Sequence, residues 1–181
     1  MPDGSWGATP RVSVQAECAR RGRAAVVADC RELLRGGVAD ADVVAALAGP
    51  TAPRLLDPDR DDRYWLRVWG ARGLLWAWDH EAVPEIRVAL GDESWRVREM
   101  ALKVIARHHV DDLLDDVIAS RDDGTPRVRA GAEKAMVALT VQRSRTAPAG
   151  SLVTRGESDG RDRNAVELHR QARARRDRDD Q

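Results

Sequence analysis

The chain has 181 residues, with 30 basic and 30 acidic side chains, so its formal net charge is zero. This balance removes whole-chain charge as an argument for or against a nucleic-acid partner, and any electrostatic case depends on a local patch. The apolar runs are far shorter than the ~20 residues of a membrane span. Residues 1–11 also lack the apolar segment of a signal peptide. We therefore expect a soluble, cytoplasmic protein with no membrane partner.

The first part of the chain predicts two helices that precede the repeating part. Residues 1–10 are expected to be irregular. Apolar side chains then recur at three- and four-residue steps over residues 11–35, which predicts an amphipathic helix weakened at Gly22. A short helix over residues 40–47 follows. We interpret residues 11–49 as an N-terminal cap, because the end unit of a repeat array needs its apolar face covered.

Cys18 and Cys30 are the only cysteines of the chain. Twelve positions apart in one predicted helix, they would lie ~18 Å from each other, whereas a disulfide needs Cα atoms ~4.4–6.8 Å apart. No histidine lies near them at a spacing typical of zinc ligands. We interpret both as small buried residues.

Residues 50–141 contain three segments that align when they are shifted by 31 positions. A fixed period of this length with helical spacing inside it is typical of stacked helix pairs. In each unit we expect a first helix, a turn and a second helix, with Ser94 capping the second helix of the middle unit. The second helices are predicted over residues 63–78, 95–107 and 126–141. The aligned columns are Asp61, Asp92 and Asp123; Leu66, Val97 and Val128; Arg67, Arg98 and Arg129; Gly70, Ala101 and Ala132; and Leu74, Ile105 and Met136.

The middle unit resembles the HEAT repeat. The matching residues are Ala82-Val83-Pro84-Glu85-Ile86, Leu90, Asp92, Val97-Arg98, Ala101 and Ile105. The resemblance implies an all-α fold, an α-solenoid of about three HEAT-like helix pairs behind the N-terminal helical cap. It also implies an Asp–Arg ladder between adjacent repeats and a concave surface lined by the second helices. It does not specify a function, because such arrays serve many roles.

One flank of the second helices carries the candidate binding residues. In the first unit three tryptophans fall beside the buried face, and Arg72 lies just beyond them. At the corresponding positions of the next two units the side chains are mostly Arg or Lys. The candidates are Trp65, Trp69, Arg72, Trp76, Arg96, Lys103, Arg107, Arg127 and Lys134.

Two interpretations of this flank are open. The tryptophans either pack against the N-terminal cap, with the cations simply solvated, or they belong to a groove for a partner. Trp and Arg are frequent anchors of protein interfaces, so we predict a non-catalytic binding module or scaffold for a protein or peptide partner. Nucleic acid is the alternative, because aromatic faces stack on bases and cations bind phosphates.

Catalysis is not expected from this sequence. The DNA-alkylation-repeat glycosylases also carry Trp and Arg on HEAT-like repeats, but they need a carboxylate beside the aromatic residues, and Asp79 is the nearest candidate. The four histidines form no metal-ligand pattern, and no phosphate-binding glycine loop is present. We predict no cofactor and no metal. Residues 142–181 are rich in Arg, Asp, Gly and Ser, and we predict a disordered, charged tail.

Overall fold

The computed structural model describes residues 9–37, 39–55, 57 and 62–146. These residues are helical throughout, with no strand among them, as the sequence predicts. No helix in this part of the chain is long and apolar enough to cross a membrane. The helices are α1 (Pro10–Arg21), α2 (Arg23–Leu34), α3 (Ala41–Ala48), α4 (Ala52–Leu55), α5 (Tyr64–Leu74), α6 (Val83–Leu90), α7 (Trp95–His108), α8 (Leu114–Ala119) and α9 (Pro126–Thr146). Short 3₁₀ turns precede α4, α6 and α8, and another follows α8.

The predicted helix over residues 11–35 is two helices, and the prediction of a single helix is wrong. Gly22 has a φ of 89°, a left-handed region that favours glycine, and it separates α1 from α2. The gap in the apolar spacing beside Gly22 also fits one weakened helix, which is why the pattern alone does not reveal the break. Cys18 and Cys30 therefore lie on different helices, and the distance expected between them does not apply. Both are free thiols, and burial raises the pKa of Cys30 to about 12.

Helix α5 packs mainly against α2 on one side and α7 on the other. The contact with α2 is close because Gly70 has no side chain. A Cβ atom at Gly70 would lie 2.7 Å from the carbonyl oxygen of Cys30 and 2.9 Å from Cβ of Leu33. The predicted small column thus lies where helices approach closely, and Ala101 and Ala132 are likewise fully buried. The predicted core columns are buried as well, except that Met136 is only half-buried.

A charged cluster adds a second link between α2 and the repeating part. Glu85 on α6 is buried and accepts hydrogen bonds from Arg31 on α2 (3.1 Å) and from Arg35 directly after it. Burial alone would raise the pKa of Glu85, but the bonds from the two guanidinium groups lower it below its ordinary value. Since an unpaired carboxylate at this depth would be costly, the cluster fixes how α2 meets α6.

The turns between first and second helices repeat in detail, although Ser94 does not act as predicted. Its side chain makes no capping bond. Instead the Asp92 carboxylate accepts the backbone N–H of Ser94 at 2.8 Å, and Asp123 accepts that of Thr125 at 2.7 Å. An aspartate that accepts the N–H two residues later forms an Asx turn. The turns before α7 and α9 are therefore held by the aspartate column.

The expected Asp–Arg contacts join successive 31-residue units. Arg67 donates to Asp92 from Nε at 2.6 Å and from Nη2 at 3.2 Å. Arg98 repeats this with Asp123, at 2.7 and 3.0 Å. Arg98 also donates to the backbone oxygen of Asp92 at 2.7 Å, and Arg129 donates to that of Asp123 at 2.7 Å. We call this set the Asp–Arg ladder; Asp61, the first member of its column, lies outside the described residues.

Two of the second helices end at residues other than those predicted. Helix α5 stops at Leu74 rather than near residue 78, and its last turn tightens through bonds from Leu75 and Trp76 to carbonyls three residues earlier. His108 of α7 bonds through Nε2 to the Leu74 carbonyl at 2.9 Å, so a residue far along the chain satisfies this helix end. Helix α9 continues to Thr146, five residues beyond the predicted boundary at 141. The rest of the predicted tail, residues 147–181, and residues 1–8 lie outside the described residues.

Candidate binding surface

The structure places the nine predicted residues on α5, α7 and α9 and on the turn after α5. We call the surface that they form the Trp–Arg face. Contacts between helices join several of its members, as described below. Trp76 differs from the prediction in one respect: it lies two residues beyond the end of α5, so its position is set by a turn and not by the helix periodicity from which it was inferred.

A row of alternating rings and guanidinium groups runs along the starts of the second helices. The rings of Tyr64 and Trp65 stack with centroids 5.4 Å apart. The guanidinium carbon of Arg96 lies 5.5 Å from the Trp65 centroid and 4.4 Å from that of Trp95. Arg127 lies 5.5 Å from the same Trp95 ring. Each contact is within the distance of cation–π attraction.

Trp95 and Tyr64 belong to this row although sequence reasoning did not select them. A signal for them exists in the sequence. Tyr64 and Trp95 are 31 positions apart, and each occupies the first position of its second helix. Pro126 stands at the third position of the column, where α9 begins. Two aromatic residues in one column of the period indicate a ring beside the Arg96 and Arg127 column.

The other two tryptophans carry cations as well. Arg107 on α7 lies 4.2 Å from the Trp76 centroid, and Arg11 on α1 lies 5.7 Å from it. Arg72 lies 4.9 Å from the centroid of Trp69. All three predicted tryptophans are half-buried and pack against the core. The rings thus contact the folded core, and each has a guanidinium group close to it.

Two grooves cross the Trp–Arg face, with Lys103 at the edge of both. The first has a volume of about 510 Å³ and includes Arg11, Arg72, Trp76 and Met100 among its lining residues. The second, which we call the α7–α9 groove, has a volume of about 550 Å³. Its lining consists of apolar or small residues between charged ones, namely Glu99, Leu102, Lys103, Ala106, Arg107, Arg127, Ala130, Gly131 and Lys134.

The cations of the Trp–Arg face differ from other arginines in their partners. Lys103 pairs with Glu99 at 3.1 Å. Among the residues that the structure describes, none of Arg72, Arg96, Arg107, Arg127 and Lys134 forms an ion pair. Elsewhere many arginines bind carboxylates, as seen for Arg20, Arg21, Arg31, Arg35, Arg67, Arg87, Arg98 and Arg121. The face therefore carries positive charge that the described part of the chain does not neutralise.

The residues considered for catalysis or metal binding have local structural partners. Asp79 is exposed, and its side chain accepts the backbone N–H of Glu81 at 2.9 Å at the start of a 3₁₀ turn. His108 stacks on Trp78 with centroids 4.8 Å apart, and burial lowers its pKa. His80 pairs with Asp112 at 2.7 Å. Within the described ranges, no group of His, Cys, Asp and Glu is arranged to hold a metal ion.

Comparison of the chain with protein-family models, with curated proteins and with solved structures finds no match.

Proposed function

We propose that this chain is a non-catalytic binding module, a HEAT-like helical array that holds a protein or peptide partner on the Trp–Arg face. The proposal depends on which groups the arginines of this face contact. Arg96, Arg107 and Arg127 lie on tryptophan rings instead of pairing with carboxylates. A guanidinium group that rests flat on a ring keeps its in-plane N–H donors available for a carboxylate of another molecule.

The array itself is supported by contacts that recur with the 31-residue period. Arg67 with Asp92 and Arg98 with Asp123 make the same two-bond pairing one unit apart. Repeated contacts of this kind favour a stack in which equivalent side chains fall at regular intervals. The second helices would then present their flank as one continuous surface, the concave one by the HEAT resemblance, and the cap α1–α3 would cover the first unit.

Nucleic acid remains the alternative partner, and the uncompensated cations favour it. The tryptophan faces argue against it, because each of the three predicted rings packs on the core and has a guanidinium group within 5.5 Å of its centroid. Base stacking needs an open aromatic face. A peptide needs only the N–H donors and the apolar surface between them. This difference makes a protein or peptide the preferred partner.

Affinity capture from the native cell extract, with and without nuclease, tests the proposal. The bait proteins are the wild type, the double variant Lys103→Glu/Arg107→Glu, and the matched control Arg23→Glu/Arg54→Glu. The control reverses two exposed arginines on α2 and α4, neither of which lines the two grooves. We expect the wild type and the control to recover the same protein after nuclease treatment, and the face variant to lose it.

Two results would overturn this function. Recovery of the same protein by the face variant would mean that the Trp–Arg face does not bind it. Recovery that disappears with nuclease, together with a steep loss of affinity between low and physiological salt, would identify phosphate contacts and hence the nucleic-acid alternative.

A further inference from the structure

The α7–α9 groove exists because one column of the period loses its side chain. The column reads Trp69, Met100 and Gly131 in successive units. Both Trp69 and Met100 are half-buried and pack against the core. At Gly131 a Cβ atom would already lie 3.2 Å from Cδ1 of the fully buried Leu102. Because the side chain is absent, the space beside Ala106 and Ala130 is left as an open groove.

The groove combines an apolar floor with positively charged walls. Ala106, Ala130 and Gly131 provide apolar or backbone surface, and Lys103, Arg107, Arg127 and Lys134 surround it. The one acidic residue of the lining is Glu99, which pairs with Lys103 at 3.1 Å. Four cations against one carboxylate favour a ligand with several negative charges. The floor favours a ligand that also has an apolar side chain.

The spacing of the cations sets the spacing of the ligand charges. Lys103 and Lys134 occupy the same position of the period on α7 and α9. Packed helices lie about 8–10 Å apart. An extended or polyproline-type peptide advances about 3.1–3.4 Å per residue, so three residues span one helix spacing. Carboxylates at every third residue would therefore meet cations of successive helices.

We propose that the α7–α9 groove binds an extended acidic segment of a protein partner, with carboxylates about three residues apart and an apolar side chain against Ala106, Ala130 and Gly131. This inference rests on the proposed function and names the partner chemistry for one part of the face. A nucleic-acid strand fits less well, because the floor of the groove is aliphatic and offers no ring on which a base could stack. Gly131 is then the residue that determines access, and Lys134 is a wall cation that no intramolecular ion pair occupies within the described residues.

Fluorescence anisotropy with labelled probes tests this inference. The first probe is a short repeat of Glu-Leu-Pro, in which proline prevents helix formation; the second replaces every Glu by Gln; the third is an oligothymidylate of similar length. We expect the wild type to bind the Glu probe at least about tenfold more tightly than the Gln probe, and more tightly than the oligothymidylate.

The decisive variant is Gly131→Met, which installs the side chain found at this position in the preceding unit. We expect it to stay folded and to melt close to the wild-type temperature, because the greater helix propensity of methionine offsets the crowding of its Cβ atom against Leu102. We expect it to bind the Glu probe about tenfold more weakly. Gly124→Ala is the matched control, since a Cβ atom there meets nothing within 4 Å. Lys134→Glu changes one exposed charge only and should weaken binding several-fold without affecting folding.

Failure of the inference can be told apart from failure of the proposed function. Undiminished binding of the Glu probe by Gly131→Met, no preference for Glu over Gln, or tighter binding of the oligothymidylate would each overturn the acidic-peptide inference. If Gly131→Met still captured the partner that Lys103→Glu/Arg107→Glu loses, the groove would be excluded and the Trp–Arg face would stand. A partner that both variants retain would remove the proposed function itself.

Discussion

The same residue type serves two different purposes on the Asp–Arg ladder and on the Trp–Arg face. In the ladder, Arg67 and Arg98 are mostly buried and each binds a carboxylate through two hydrogen bonds. On the face, Arg107 and Arg127 are exposed and lie beside rings. A paired guanidinium group has little electrostatic attraction left for a ligand, whereas a stacked one keeps its charge and its donors. The partner of an arginine thus separates stabilising positions from candidate binding positions.

The largest expected effect comes from breaking the ladder. Arg98→Ala removes two bonds to Asp123 and two to the backbone oxygens of Asp92 and Glu93. Because Asp123 then loses its cation in a largely buried place, we expect the free energy of unfolding to fall by about 2–3 kcal/mol. Thermal and denaturant unfolding measure this. Binding to the partner should be retained at temperatures where the variant is folded.

The control for this prediction is Arg121→Ala. Arg121 pairs with Glu133 at 2.7 Å, but both side chains are about half exposed. An exposed pair contributes about 0–1 kcal/mol, so this variant should melt close to the wild type. If Arg98→Ala melted like the wild type and yet lost the partner, the ladder would have to be assigned to binding instead of stability.

An intermediate effect is expected from acid. The hydrogen bond from Arg98 lowers the pKa of Asp123 below its ordinary value of 3.8. A carboxylate whose pKa is lower when folded stabilises the fold above its unfolded pKa, and this contribution is lost as pH falls through the folded pKa. The stability difference between wild type and Asp123→Asn should therefore be full near neutral pH and shrink below about pH 4. A difference that stays constant from pH 7 to pH 3 would contradict the assignment.

The smallest effect on stability is expected on the Trp–Arg face. Arg107→Ala removes a cation 4.2 Å from the Trp76 ring, and an exposed contact of this kind contributes about 0.5–1 kcal/mol. The variant should unfold almost as the wild type does. The change in its free energy of binding to the partner should exceed the change in its free energy of unfolding. A loss of stability as large as that of Arg98→Ala would mean that the stacked arginines also act mainly as structural residues.

The sequence predicted the contacts between helices best where two columns of the period pair with each other from one unit to the next. The 31-residue shift shows that the Asp and Arg columns recur together, and the HEAT resemblance implied their pairing, which Asp92 forms with Arg67 and Asp123 forms with Arg98. The break at Gly22 was not predicted, since the gap in the apolar spacing beside it also fits one weakened helix and only the backbone angle reveals the turn. Ser94 stands at the N-cap of α7 as predicted, but its side chain makes no capping bond, which the preference of serine for this position does not reveal.

The sequence predicted most residues of the Trp–Arg face, but not the contacts that these residues make with one another. Helical spacing gathered Trp65, Arg96 and Arg127 on one flank, yet it could not indicate that Trp95 lies between the two arginines. That contact depends on the distance between neighbouring helices, which no single helix specifies. The position of Trp76 was inferred from a helix that in fact ends two residues earlier, at Leu74. The Leu74 carbonyl is bonded by His108, which lies more than one repeat unit further along the chain, so local sequence does not indicate this helix end.

The Asp–Arg ladder also affects how much conformational entropy is lost when a partner binds. Arg98 holds the turn before α7 through the Asp92 carbonyl and the turn before α9 through the Asp123 carboxylate. Neither helix can then tilt or slide without breaking charge-assisted bonds. The cations on α7 and α9 are consequently held at a fixed separation before any ligand arrives. Binding a partner that matches this separation would therefore cost less conformational entropy than binding it on two helices that move independently, and the affinity would be higher.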